Sequence, residues 1–566
     1  MSDTKLERPD RKLSCEPTLD NEAQTTIVGN KQGGWITFPF ITVSTLGLTL
    51  ASSGWLSNLT VYLIQQFNVK SIDAAQVYNV VSGCATLFPI AGAIIADSLG
   101  CFPVISVSSF ISLLAVILFT ITATSSSLKP PPCVNIGSAA AAESCKTPSK
   151  LQYGLLYSAI ALGAIGMGGS RFTTATMGAD QFNNAKDQGI FFNWYFFILY
   201  VASAAGATVI VYVEDNVGWG WGYGIAIGAN TVGLLAFLIG KRYFRHAKPK
   251  GSPFTSLARV LVATIRKRKV AVSSQTQDYY YGHGDLTKLP YPPPTPSFKF
   301  LNRAALKSEE DIRVDGSAAN QWRLCTVQEV EDLKALIRIS PLWSTGIFVS
   351  VPIGILTSLI ILEALRMDRH VGPHFKIPAG SFLVFLLIST ALSLCFMDRF
   401  FYPTWLKLTR RTMTPLQRVG IGHILNITAM AASAIVESRR LHVARSHHLD
   451  DQPGSIVPMS ALCLVAPLAL VGAGEAFHFP GQVELYYQEF PASLRSTATA
   501  MVSLLAAVGF YLSTVVIDLT RRVTGWLPDD INHGRLDKVF WMLVVVGAIN
   551  FVYYLICTKL YKYQKR

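Results

Sequence analysis

The sequence predicts an all-α membrane protein of twelve transmembrane helices, and two observations carry that prediction. Only 15% of its 566 residues are Asp, Glu, Lys or Arg and 50% are hydrophobic, against about 25% charged in an ordinary soluble domain. Between the charges lie twelve stretches of about 18 or more uncharged residues, each long enough to cross a hydrocarbon core of roughly 30 Å. Lipid offers a bare backbone group no partner, so spans this solidly apolar form helices; the strands of a barrel would alternate polar with apolar. Soluble enzymes and nucleic-acid binders are excluded.

The spans read 35–65, 76–97, 103–124, 151–173, 189–213 and 219–241, then 338–363, 377–397, 417–437, 456–480, 495–519 and 539–560. They divide the chain into an N-terminal tail (1–34), a six-helix bundle (35–241), a basic linker (242–337), a second six-helix bundle (338–561) and a short C-terminal tail (562–566). Of the net charge of +14, residues 241–334 supply +8, from 17 Lys/Arg against 9 Asp/Glu. Basic loops stay on the cytoplasmic side, so the linker is placed inside, and an even number of spans puts both tails there too. The first thirty residues hold no apolar segment, so the first span is expected to direct insertion itself, with no cleavable signal peptide.

The first uncharged run, Gln32 to Val69, has 38 residues. That is too long for one straight crossing, and Pro39 is the expected bend. In the linker, Phe254 to Ile265 precedes Arg266-Lys267-Arg268-Lys269 and could form an amphipathic helix on the membrane surface; the alternative is a solvated connection between the halves. Asp97-Ser98-Leu99-Gly100 follows the second span and Asp398-Arg399 the eighth, equivalent places in the two halves. Six helices, a basic middle and six helices point to the major facilitator arrangement, in which the halves rock around a central site.

Of nine cysteines, Cys133 and Cys145 share one loop expected to face outward, and their short separation closes easily into a disulfide; two free thiols are the alternative. No Cys/His spacing predicts a metal site, no motif calls for a cofactor, and nothing in the chain marks an oligomeric state. Asn58-Leu59-Thr60 and Asn426-Ile427-Thr428 match the glycosylation pattern but fall inside spans, where the match is chance.

Charges inside apolar spans carry the chemistry, because they are costly and either pair or face a water-filled path. Arg171 follows the uncharged run 151–170 and Glu475 the uncharged run 453–474. Alternating topology runs both helices from outside to inside, one in each half, so the two charges could meet across the seam. The residues alone leave other readings open: Arg171 snorkelling to the inner interface, and Glu475 bonding to a neighbouring helix.

Several motifs resemble the proton-dependent oligopeptide transporters, and within them the plant nitrate/peptide branch. They are Gly33-Gly34-Trp35-Ile36-Thr37, Ala91-Gly92-Ala93-Ile94-Ile95-Ala96-Asp97, Gly178-Ala179-Asp180-Gln181-Phe182, Phe191-Phe192-Asn193-Trp194-Tyr195, Met367-Asp368-Arg369 and Gly474-Glu475-Ala476-Phe477 with Gly481-Gln482. Phe477-His478-Phe479-Pro480-Gly481, Gly251 to Leu257 and Trp526 to Arg535 further resemble the nitrate excretion subfamily.

Departures from the family pattern sharpen the expectation. Members carry Glu-x-x-Glu-Arg in the first helix, a cluster coupling proton to substrate; this chain has Thr45-Leu46-Gly47-Leu48-Thr49 there. Ile353 stands where some nitrate-binding relatives have His. Arg171 replaces the family's fourth-helix Lys, which keeps the charge and adds a fork suited to a planar oxyanion. Cys101 replaces an Arg that would face Asp97. The resemblance implies a carrier, not an enzyme, with Arg171 and Glu475 binding substrate, and Arg171, Glu475, Thr45, Thr49 and Asp97 in gating or coupling. The expected function is passive, voltage-driven efflux of nitrate, or of chloride, across the plasma membrane. The alternatives are a proton-coupled symporter of peptide or another organic solute, with Glu475 alone titrating, and a membrane anion sensor whose linker docks a cytosolic partner.

Overall fold

The computed structural model describes residues 32–132, 146–246, 253–282, 294–308, 311–313, 316–449, 452, 454–489 and 498–561. Among them, twelve helical segments are long and apolar enough to cross a membrane. The N-terminal half is built from α1 (Phe38–Ser57), α2 (Leu59–Phe67), α3 (Ser71–Leu99), α4 (Cys101–Thr124), α5 (Lys150–Ala179), α6 (Ala185–Ala205), α7 (Val211–Asn216) and α8 (Trp219–Gly240), with a π-turn, Gly206–Ile210, joining α6 to α7 as one span. The linker contributes α9 (Pro253–Arg266). The C-terminal half holds α10 (Val327–Leu365), α11 (Leu383–Phe396), α12 (Tyr402–Thr409), α13 (Pro415–Ser446), α14 (Val465–Glu489), α15 (Ala498–Thr524) and α16 (Leu536–Leu560).

Local chemistry sets the helix ends. Ser149, Thr326 and Thr414 each close a capping box, with Gln152, Glu329 and Gln417 three residues on. Because the Thr326 box starts α10 at Val327, the seventh span projects out of the membrane into the region read from sequence as linker. Pro39 does not bend the first span. It sits in the first turn of α1, where a missing N–H costs nothing. The break comes at Asn58 (φ −104°, ψ 7°), and α2 then runs to Asn68, whose left-handed backbone (φ 53°) ends it. Asp398-Arg399 also falls elsewhere than expected: a π-turn, Met397–Phe401, carries it inside an eighth helical segment that continues to Thr409.

Without a hydrophobic drive between helices in lipid, close backbone packing holds a bundle together. A Cβ on Gly47 would stand 2.2 Å from the Ala229 carbonyl oxygen, so only glycine lets α1 lie this close to α8. The linker has a small core of its own. Val260 and Ala263 of α9 turn toward Leu301, Ala304, Val330 and Leu333. The amphipathic face expected on the membrane is therefore largely spent inside the linker, with Leu261 and Ile265 left exposed.

Six polar contacts between described residues cross the seam between the halves: Asn79–Ser358 (3.2 Å), Cys84–Tyr511 (3.2 Å), Ser381 to the Ala207 carbonyl (2.8 Å), Arg521–Asp73 (2.7 Å), Lys70–Asp529 (2.8 Å) and Arg369–Asp215 (3.7 Å). All sit mid-membrane or on the side away from the linker. Among the described residues, the halves are thus fastened at mid-depth and at the ends away from the linker.

Candidate functional site

Where the halves face each other below that fastening lies a cavity of about 310 Å³. The N-terminal half lines it with α1, α3, α4, α5 and α6, the C-terminal half with α10, α11, α14 and α15. Its wall mixes apolar side chains, among them Leu386, Leu387 and Phe510, with uncharged polar ones, including Ser52, Ser53, Ser112, Ser170 and Ser203. Two charges face it among the described residues, Arg171 from α5 and Glu475 from α14. The structure thus brings together the two span charges that the sequence singles out.

Arg171 is exposed to this space. Its backbone is fixed by the Tyr195 hydroxyl, which donates to the Arg171 carbonyl at 2.8 Å and so ties α5 to α6. Glu475 is half-buried. The salt bridge expected between them is not formed in this conformation: both line one cavity, and neither side chain makes an ion pair among the described residues. Opposite charges kept apart in a water-accessible space leave the guanidinium free to meet an anion.

Thr45 and Thr49 both line the cavity. The Thr45 side chain is 4% exposed and its hydroxyl has no hydrogen-bond partner among the described residues; Thr174, one turn beyond Arg171, carries a second such hydroxyl. Where the family pattern has a charged first-helix cluster, this chain puts the uncharged Thr45, Leu48 and Thr49 in the cavity wall. Ile353 lines the same space and Thr357 stands one turn above it, its hydroxyl donating to the Ile353 carbonyl at 2.9 Å. Asp97 is not in the cavity wall. It occupies the last turn of α3, near Cys101 on the linker side. Cys133 and Cys145 lie outside the described residues.

Among the buried charges that sequence reasoning missed, four lie at span ends. Glu437 and Arg440 form a bidentate pair in α13 at 2.6 and 2.8 Å, and Arg440 also donates to Asn532 at 2.5 Å. Glu363 lies beside them, 1% exposed. Glu214, also 1% exposed, accepts from the Asn58 amide at 2.8 Å. Each sits at or just past the end of a span drawn from an uncharged run, so each charge reads as a boundary when the helix in fact runs on.

Asn58 and Asn426 are buried, at 0% and 4% exposure, which rules out their use as glycan acceptors in this fold. The Met367-Asp368-Arg369 motif has a structural use. It forms a short strand against Val457–Ser460 and delivers Arg369 to Asp215 across the seam.

Comparison with known proteins agrees with this architecture. A sequence profile of the POT family matches residues 102–533. The chain is 52% identical over 553 residues to Protein NRT1/PTR FAMILY 2.7 of Arabidopsis thaliana, covering 97% of each, and 52% identical over 535 residues to Protein NRT1/PTR FAMILY 2.6, covering 94% of each. Its fold is similar to the crystal structure of the POT family transporter PepTSo, with a TM-score of 0.68, 16% identity, and coverage of 94% of this chain and 99% of that one. The chain belongs to the POT family of membrane transporters, as a multi-pass carrier of a small solute.

Proposed function

We propose that the protein passes nitrate, and chloride as a second substrate, down its electrochemical gradient across the plasma membrane. The observation that supports this best is the cavity's charge inventory. One guanidinium, a permanent cation, faces neutral walls, and in place of the first-helix Glu-x-x-Glu-Arg that would couple a proton stand the uncharged Thr45, Leu48 and Thr49. Arg171 attracts and orients the anion, its planar fork matching a planar oxyanion. The Thr45 and Thr49 positions supply neutral contacts beside it. Glu475 competes for Arg171 when the cavity is empty and lets the linker side close, with Asp97 contributing at the linker-side end of α3. An inside-negative voltage then drives the anion outward by about 2.3 kcal/mol per unit charge per 100 mV.

A second reading, proton-coupled symport of a peptide or another organic solute, draws on Glu475, the one carboxylate lining the cavity among the described residues. Purified protein in liposomes separates the two. Labelled nitrate should cross, chloride should compete, and a dipeptide should not. Uptake of a labelled dipeptide with nitrate inert would replace the first reading by the second.

A further inference from the structure

Glu214 stands near the outer end of the fifth span with 1% of its surface exposed. Its Oε2 accepts from Asn58, while Oε1 has no partner among the described residues. The charged neighbour acting on it is Asp215, of the same sign, and Asp215 is itself turned to Arg369 at 3.7 Å with Lys376 nearby. The groups facing Glu214 from the other elements are neutral. They are the Asn58 amide at the α1–α2 break, the phenols of Tyr62 (α2) and Tyr223 (α8), and the backbone of Gly222, where an added Cβ would stand 2.3 Å from Glu214 Cγ. An ionised carboxylate removed from water without a cation costs far more than one amide hydrogen bond returns, whereas the neutral acid is an ordinary polar group.

The same residues form part of the outer fastening. A Cβ on Gly380, from the opposite half, would lie 2.7 Å from the Ser57 carbonyl oxygen and 2.8 Å from Asn58 Oδ1. The next residue, Ser381, donates to the Ala207 carbonyl in the π-turn of Glu214's own span. Gly380 and Ser381 thus pack from the opposite half on Asn58, the partner of Glu214, and on Glu214's own span, so a parting of the halves on this side would remove that cover.

We propose that Glu214 is a proton-binding site of the outer gate, holding a proton while the gate is closed over it and releasing it outward when the gate opens. A ligand that binds one conformation better shifts the population toward it, so acid on the outer side favours the outer-closed, linker-side-open form. The proton arrives and leaves on one side. The site therefore sets the rate of the cycle without carrying protons through, whichever solute the cavity takes.

Glu214→Gln keeps the side chain's shape and an oxygen acceptor for Asn58 while fixing the neutral state. Full-length wild type and E214Q are compared in two ways. Infrared difference spectra in D2O at neutral pH, which need no transported substrate, should show the carbonyl band of a protonated carboxylic acid in wild type and its loss in E214Q. Labelled nitrate flux in liposomes, at fixed voltage and fixed internal pH, should vary with external pH in wild type and lose that variation in E214Q. No band lost, external-pH dependence unchanged in E214Q, or an E214Q protein that does not fold would each overturn the proposal.

Discussion

Arg171 and Glu475 project from opposite halves into one cavity and leave a gap between their charges. Contacts such as Asp73–Arg521 and Asp215–Arg369 fasten the seam on the side away from the linker, so the movement expected to bring the pair together is at the linker-side ends. The pair has room to form only as those ends approach. An anion and Glu475 then become alternative partners for one guanidinium, which links substrate binding to closure.

Removal of the cation tests the first half of that statement. A hydrogen bond to a charged group contributes about 1.5–3 kcal/mol, so Arg171→Ala should lower nitrate flux by about 10- to 100-fold at matched protein amount. Arg171→Lys keeps the charge without the fork and should fall between. Near-normal flux from Arg171→Ala would mean that the side chain merely snorkels.

Exchange of the two charges tests the second half. Arg171→Glu and Glu475→Arg should each impair transport and linker-side closure, and the double variant should recover closure better than either. Closure is read from the reactivity of a cysteine replacing cavity-lining Ser170 toward a reagent added on the linker side. Equal defects in all three variants would show that the residues act independently.

The outer fastening is expected to be adjustable. Arg521 bridges Asp73 at 2.7 Å and Asp529 at 2.5 Å, but all three are only half-buried, and pairs still reached by solvent contribute about 1 kcal/mol or less. Arg521→Ala should leave folding intact and raise the outer-open population by up to about fivefold. Labelling of Ser57→Cys from the outside should speed up accordingly; an unchanged rate would assign the gate to the remaining seam contacts.

Stability should instead concentrate at Arg440. Its side chain is fully buried and holds both Glu437 and Asn532. Taking away one member of such a pair strands the other charge, at about 3–5 kcal/mol. Arg440→Ala should unfold at much lower temperature in detergent than Arg521→Ala, followed by intrinsic tryptophan fluorescence. Comparable melting of the two variants would contradict the burial argument.

The fold was legible because lipid enforces a simple rule: long uncharged runs become helices. The cavity's two charges were legible for the same reason, since Arg171 and Glu475 interrupt such runs from within. What was not legible follows from where charges fall. Glu363, Glu437 and Glu214 ended the runs as drawn, yet the helices carrying them continue, to Leu365, Ser446 and Asn216. Asn58, not Pro39, breaks the first span, because a proline in a first turn forfeits no hydrogen bond. The apolar face of α9 was visible as a period, but which neighbour covers it depends on Leu301 and Ala304, some forty residues away.

The central claim is that an anion moves on voltage alone past Arg171. It is tested most directly by labelled nitrate flux in liposomes holding the purified protein, with voltage and pH gradient imposed separately. The account predicts flux that follows the imposed voltage in both directions, with a pH gradient changing its rate but producing no accumulation. Uphill nitrate accumulation driven by a proton gradient at zero voltage would contradict it.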